Sequence, residues 1–227
     1  MATSIAPRFG VWSSPTFLRA GGSNASSTRS FVPKRSGKTE VATAFAALGV
    51  EIVDADALAH RLSASGTEAF TAIRLAFGET ILSGDGDLDR AALRRLVFAD
   101  VAARRRLEGI LHPLIRAEAE RQVRNWRGPY GIVVVPLLLE REGLRSIIDR
   151  ILVVDCPEDE QVRRVVARSG LRADEVRAIM ATQLDRSQRR AAADDILDNS
   201  GAISAIASQV RALDQQYREL AATHARG

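Results

Sequence analysis

Glycine, lysine and threonine stand in a row at Gly37-Lys38-Thr39, directly ahead of a helical pattern. The run Ser36-Gly37-Lys38-Thr39 reads as the second half of a phosphate-binding loop, G-x-x-x-x-G-K-[ST]. In that motif the lysine reaches the β- and γ-phosphates of a nucleotide and the hydroxyl holds Mg²⁺. Lys34 and Lys38 are the only lysines among 32 Lys and Arg residues. A chain that otherwise uses arginine keeps at position 38 a compact, rotatable point charge rather than a planar fork. The first half of the loop departs from the motif. Its leading glycine belongs at position 32, where Val32 stands, followed by Pro33, Lys34 and Arg35. Pro33 removes a backbone donor and fixes φ. Without glycines, the turns at positive φ and the close approach of backbone to phosphate are lost. Lys34 and Arg35 would attract a triphosphate by charge, a poor substitute for positioned amides.

Further polar groups fall where apolar runs end. Asp54 and Asp56 follow the run at 50–53, Pro136-Leu137-Leu138 follows 130–135, and Asn199 follows Ile196-Leu197. In an open parallel sheet, ligands bind at the carboxyl ends of the strands. A phosphate cradle at a helix N-terminus, a Thr39 metal ligand and an aspartate accepting the proton of an attacking hydroxyl together describe a small phosphotransferase. Arginines of later helices would stabilise charge on the transferred group. Plainer readings stand beside these. Gly-Lys-Thr alone occurs by chance, and Asp54 and Asp56 read equally as solvated loop acids. His112 before Pro113 reads as a structural turn or cap, and Arg186, Arg189 and Arg190 read as a solvated helix face.

The elements that must position these groups are legible as alternating periods. Val41, Phe45 and Leu48 lie at i, i+4 and i+7 of a helix that Gly49 ends. The runs at 50–53, 130–135, 150–154 and 196–197 predict strands, the second and third being continuous apolar stretches of the kind buried on both faces. Helices are expected at about 57–64, 67–77, 90–98 behind the cap Asp89, 101–110, and 114–127 with Pro113 in its first turn. More are expected at 158–168 and 174–183. A final helix carries Ile203, Ile206, Val210, Leu213, Tyr217 and Leu220 on one stripe. Strands separated by helices imply an α/β protein, a parallel sheet in a three-layer α/β/α arrangement. The stretch 57–127 is too long for a simple crossover and reads as a helical substrate-binding insertion.

The 227 residues suit one such domain, and a 46% hydrophobic content supplies its core. No stretch approaches the 18 apolar residues of a membrane span. The single Cys156 excludes an internal disulfide and reads as inert packing behind a strand. The basic balance of the chain is misleading. Residues 1–39 hold six basic and no acidic residues, so the remainder is slightly acidic, with 26 basic against 28 acidic residues. A nucleic-acid partner, which would ask for excess positive charge on the folded part, is therefore not expected. Residues 1–30, rich in Ser, Gly, Ala and Arg, show no sustained periodicity. They read as a non-native or disordered N-terminus, or alternatively as an organellar transit peptide. The domain is then expected over 31–222, with a tail at 223–227.

From Ser36 to about Leu220 the chain resembles the dephospho-coenzyme A kinases, phosphate-binding-loop kinases related to the nucleoside monophosphate kinases. The residues that carry the resemblance include Ser36-Gly37-Lys38-Thr39, Val53-Asp54-Ala55-Asp56, Asp85-Gly86-Asp87-Leu88-Asp89-Arg90 and Leu111-His112-Pro113-Leu114-Ile115. They continue with Val135-Pro136-Leu137-Leu138 and Glu140, Val153-Val154-Asp155, Gln183 with Arg186 and Arg189, Ala193-Asp194-Asp195, and Asp198-Asn199-Ser200-Gly201. The resemblance implies transfer of the γ-phosphoryl of ATP to the ribose 3′-hydroxyl of dephospho-coenzyme A, with Mg²⁺. It implies catalytic roles for Asp56, Lys38 and Arg186, and Mg²⁺ bound by Thr39. ATP contacts would come from residues 34–39 and Asn199, and contacts to the acceptor from Asp56, His112, Pro136, Leu137, Arg186 and Arg189. A lid at about 157–185, with Arg163, Arg164 and Arg168, would close over ATP. A cytoplasmic monomer or weak homo-oligomer is expected, with no membrane partner. The family opens instead with a strand and a loop of the form Thr-Gly-Gly-Ile-Gly-Ser-Gly-Lys, so impaired turnover is expected here. A non-catalytic homologue that binds dephospho-coenzyme A but not ATP is the alternative. A nucleoside monophosphate kinase fits Lys38 and Asp56 but leaves the insertion with His112 unexplained.

Overall fold

Apolar runs of β-branched residues form buried strands. The computed structural model describes residues 8–13, 37–135, 142–181 and 184–224. They fall into two units, one made of the residues up to Val53 together with those from Val123 onward, the other of Asp54–Gln122.

The first unit is built on a five-stranded sheet: β1 (Arg8–Ser13), β2 (Glu51–Asp54), β3 (Gly131–Val134), β4 (Arg150–Asp155) and β5 (Asp195–Asp198). The strand order is β2-β3-β1-β4-β5. β1 pairs in parallel with β3 and with β4, and β4 pairs in parallel with β5. The helices of this unit are α1 (Gly37–Ala47), α6 (Glu158–Ser169), α7 (Ala173–Met180), α8 (Arg186–Ala191) and α9 (Ile203–His224), the four between α1 and α6 belonging to the other unit. On one side of the sheet, Val41 and Phe45 of α1 and Ile206, Val210 and Tyr217 of α9 close over Ile132, Val134, Leu152 and Val154. Val133, Ile151 and Val153, which alternate with these, are buried as well. Burial on both faces is why these strands read as continuous apolar runs rather than alternating ones.

Several polar groups inside this unit are paired. The Tyr217 hydroxyl donates to Asp195 (2.9 Å), which also accepts Nε and Nη2 of Arg150 bidentately (2.6 and 3.0 Å). Asp194 accepts from the Ile151 amide (2.7 Å). The pair Asp194-Asp195 therefore ties β5 to the start of β4 and has a structural use. The Tyr217 ring stacks on Phe45 and meets Tyr130 edge-on, with centroids 6.2 and 5.6 Å apart. α6 and α7 form a hairpin with its own cluster of Val162, Val165 and Val176, turned at Gly170, whose φ of 74° suits glycine.

The N-terminal residues differ from expectation. No regular element was expected in residues 1–30, yet the sheet's middle strand is Arg8–Ser13. A middle strand in a parallel sheet is held from both sides through backbone groups, which every residue type carries. Side-chain periodicity need not announce it.

The second unit contains α2 (Ala55–Leu62), α3 (Glu68–Phe77), α4 (Arg90–Ala99) and α5 (Val101–Arg124), the last running two residues past the unit's boundary. Phe70, Ile73, Ile81, Leu88 and Leu93 form its core, with Phe77, Leu107 and Leu111 packed against them. Thr67 and Asp89 cap α3 and α4 with their side-chain oxygens. Arg90 reaches back to the Ser63 hydroxyl and the His60 carbonyl, both at 3.1 Å, and holds α4 to the end of α2. Two helices were expected to meet at Pro113, but α5 is continuous with Pro113 inside it. Proline displaces the carbonyl four residues earlier. That carbonyl belongs to Gly109.

Candidate active site

The carboxyl ends of the parallel strands share one edge of the sheet, and α1 begins there. Gly37 is its first residue, and a Cβ on it would lie 2.0 Å from Asn199 Nδ2 and 3.7 Å from Val154 Cγ1. With glycine there, the helix starts this close to the tips of β4 and β5 without displacing the Asn199 side chain. Lys38, on the first turn, is 3% exposed, while Thr39 is exposed and its carbonyl accepts from the Thr43 hydroxyl at 2.7 Å. The first amides of a helix have no acceptor within it, and the N-terminal end carries partial positive charge. A buried ammonium at that end adds to the same positive potential, a combination that an anion stabilises.

Asp155 ends β4 with 5% exposure. Arg186 Nε and Nη2 donate to its two oxygens at 2.9 and 2.8 Å, and Arg190 Nη1 donates to Oδ2. Burial by itself would raise the Asp155 carboxyl. The hydrogen bonds and charges of Arg186 and Arg190 outweigh it and hold the group below the usual carboxylate range. The Asp155 carbonyl accepts the Asn199 amide at 2.7 Å, and the Asn199 carbonyl accepts Arg164 Nη1 at 2.8 Å. Glu160, one turn ahead of Arg164 on α6, takes both Arg163 and Arg164 and is lowered to about 2 by those hydrogen bonds. The Asp198 carboxylate accepts the Ser200 amide and hydroxyl at 2.8 and 2.9 Å, which shapes the turn that carries Asn199.

The expected site residues separate on this geometry. Gly37, Lys38, Thr39, Asn199 and Arg186 belong to the one unit, and Gly37, Asn199 and the Asp155–Arg186 pair are joined by direct contact. Arg189 takes another direction. It is 4% exposed, donates to the Leu184 carbonyl at 2.7 Å, and lines a cavity of about 300 Å³ with Glu158, Asp159, Arg177 and Asp185. Arg190, rather than Arg189, shares Asp155 with Arg186. Its position four residues after Arg186, on the same helical face, was the available signal. In the helical unit, Asp54 caps α2 by accepting the amides of Asp56 and Ala57 at 2.9 and 3.1 Å. Asp56 is exposed on the first turn of α2, and His112 is half-buried inside α5. Lys34, Arg35, Ser36, Pro136, Leu137 and Gln183 lie outside the described residues. Cys156 is buried, and burial pushes its thiol up, as befits inert packing. Among the described residues, no cluster of three or more His, Cys, Asp or Glu side chains could hold a metal ion by itself.

A sequence profile described as dephospho-CoA kinase matches residues 35–205. The chain belongs to the dephospho-CoA kinase family. A dephospho-CoA kinase of Methylococcus capsulatus is 55% identical over 186 residues, 82% of this chain and 93% of that one. A dephospho-CoA kinase of Aromatoleum aromaticum is 50% identical over 192 residues, 85% of this chain and 93% of that one. Among solved structures, a Thermus thermophilus protein superposes with a TM-score of 0.73 at 28% identity, over 93% of this chain and 97% of that one. The dephospho-CoA kinase of Campylobacter jejuni, at 21% identity and a TM-score of 0.61 over the same shares, has the same fold. The dephospho-CoA kinase profile begins at Arg35, so β1 lies outside the matched stretch.

Proposed function

We propose that the chain is a dephospho-CoA kinase that moves the γ-phosphoryl of ATP to the ribose 3′-hydroxyl of dephospho-coenzyme A, giving coenzyme A and ADP. The observation that carries this reading is the buried Lys38 on the first turn of α1, at the carboxyl edge of a parallel sheet, in a chain of this family.

In the reaction, the acceptor oxygen forms a bond to the γ-phosphorus while the bond from that phosphorus to the β,γ-bridging oxygen breaks. The hydroxyl proton leaves toward Asp56, which acts as base or orienting group. Lys38 and the α1 amides would hold the β- and γ-phosphates, and Arg186 would offset charge on the group in transit. Asn199, fixed against Gly37, would lie beside the nucleotide. His112 and the helical unit would hold the coenzyme A moiety, and the α6–α7 hairpin would close over ATP as a lid.

Among the described residues, Thr39, an exposed residue on the first turn of α1, is the one that would hold Mg²⁺, while Asp54 accepts the amides of its own helix. Mg²⁺ commonly keeps several waters and takes phosphate oxygens beside one or two protein ligands. Bound there, it would neutralise developing phosphate charge. Among the described residues no helix is long and apolar enough to cross a membrane. We place the reaction in the cytoplasm, carried out by a monomer or weak homo-oligomer.

The missing glycines before Ser36 argue for weak ATP binding and turnover well below that of a kinase with an intact loop. An assay of dephospho-coenzyme A-dependent ADP release tests the assignment. Lys38→Ala is expected to lower kcat/KM for ATP about 10²–10³-fold, the scale of losing one preorganised charge-stabilising donor. ADP release no greater with dephospho-coenzyme A than with adenosine would refute it.

A further inference from the structure

Arg186 and Arg190 lie four residues apart on α8, where two like charges disfavour each other. They nevertheless converge on one nearly buried carboxylate at the tip of β4. We infer that Asp155 is a positioning residue that holds Arg186 and Arg190 together as a paired anion-binding fork, which makes Arg190 a second phosphate contact of the proposed kinase site. The inference rests on the reading of that sheet edge as the place where phosphates bind.

Three observations support it. First, one bidentate arginine already balances the single charge of a buried aspartate. Arg186 already approaches bidentately, yet Arg190 is added. Among groups in hydrogen-bond contact, one carboxylate therefore faces two guanidiniums, with Glu158 a more distant negative charge. The surplus positive charge suits an incoming anion.

Second, the donors are divided. A guanidinium has five N–H groups in a fixed fork. Arg186 gives Asp155 its Nε and Nη2 and keeps Nη1 for another acceptor. Arg190 gives Nη1 and keeps Nε and Nη2. Both side chains remain partly exposed, at 38% and 45%, beside a carboxylate at 5%, so donors are available to solvent on the side away from Asp155.

Third, the fork is tied to the start of α1. The Asp155 carbonyl holds the Asn199 amide, and the Asn199 side chain lies against Gly37, immediately before Lys38. Any anion bound by the first-turn amides of α1 approaches the same sheet edge. Arg189 stands outside the pair because its nearly buried guanidinium is turned toward the Leu184 carbonyl rather than toward Asp155.

The test is calorimetric titration of the full chain with inorganic tripolyphosphate at low salt. Arg190→Leu is expected to weaken binding about tenfold, the loss of one charge-assisted contact, with Arg190→Lys recovering part of it. Asp155→Asn is expected to weaken binding to a similar extent. That sign is diagnostic, because removing a negative charge would by itself strengthen anion binding. In the double variant Asp155→Asn/Arg190→Leu the losses are expected not to add, since Asp155 acts through the arginine. No binding by the unaltered chain, unchanged or tighter binding in Asp155→Asn, or fully additive losses would each overturn the inference. Thermal unfolding of each variant separates loss of fold from loss of the fork. Assay of ADP release with dephospho-coenzyme A keeps the two readings apart. A chain that binds tripolyphosphate with these sensitivities but shows no such release retains the fork and loses the proposed acceptor.

Discussion

Two strand tips of this protein end alike and are used differently. β2 closes with Ile52-Val53-Asp54 and β4 with Val153-Val154-Asp155. At the first tip the carboxylate accepts two amides of its own following helix. At the second it accepts two arginines from a helix some thirty residues further on. The difference lies in the residues just after each aspartate. α2 begins immediately after Asp54, so the nearest donors are its unsatisfied first-turn amides. After Asp155 come Cys156 and Pro157, and α6 begins only at Glu158. The helical donors are thus carried away, and the Asp155 carboxylate is left for side chains from elsewhere in the chain. An aspartate at a strand tip is a cap when the helix starts at once, and available to a site when the start is delayed.

The comparison is most exposed to test at Asp56, which the β2 tip leaves on the helix surface while Asp54 does the capping. If the labour is divided in that way, Asp56→Asn lowers kcat by about 10²–10⁴-fold, the usual share of a positioned base, with calorimetric ATP affinity nearly unchanged. A kcat within about twofold of the parent would return Asp56 to the status of a solvated acid.

A smaller effect is expected at the other tip. Asp155 has its carboxyl lowered in the folded state. Its ionic contribution to stability is therefore complete above the unfolded value near 4 and is lost as pH falls through the lower folded value. Asp155→Asn is expected to cost about 1–2 kcal/mol near neutrality, less than a fully buried pair because both arginines are partly exposed. Below about pH 4 the gap to the parent should narrow, because only the parent continues to lose this term. Calorimetric unfolding from pH 7 to pH 2.5 reads both, and a gap constant with pH would remove charge from the explanation. The smallest effect belongs to Asp54. Asn caps as well as Asp, so Asp54→Asn should shift the unfolding midpoint little, while Asp54→Ala costs about 1 kcal/mol, or about 2–4 °C. A large loss in Asp54→Asn would mean that this carboxylate serves more than the α2 amides.

Much of this was legible from residue order alone. The α1 stripe of Val41 and Phe45, the positive-φ stop at Gly49, the Asp89 cap, the four strands from β2 onward and the α9 stripe of Ile206, Val210 and Tyr217 lie where periodicity placed them. Among the proposed site residues, Gly37 and Lys38 stand out by type and spacing, Asn199 by following a strand, and Arg186 through the family resemblance. Arg190 was missed because a run of arginines on a short helix resembles a solvated face until a partner for one of them is seen. The acids Asp194 and Asp195, which carry part of the family resemblance, proved to tie β5 to β4.

Residue order by itself determined most of the helices and the strands from β2 onward, because a helix packed on a core shows a stripe and a strand buried on both faces reads as an apolar run. It determined the family too, through motifs whose spacing is specific. The tertiary structure alone decided that Arg8–Ser13 fills the middle of the sheet, that α5 continues through Pro113, and that Asp155 takes Arg186 and Arg190 while Arg189 turns to Leu184. Each of these depends on backbone pairing or on side-chain direction between segments far apart in the chain. Neither leaves a local period in the sequence.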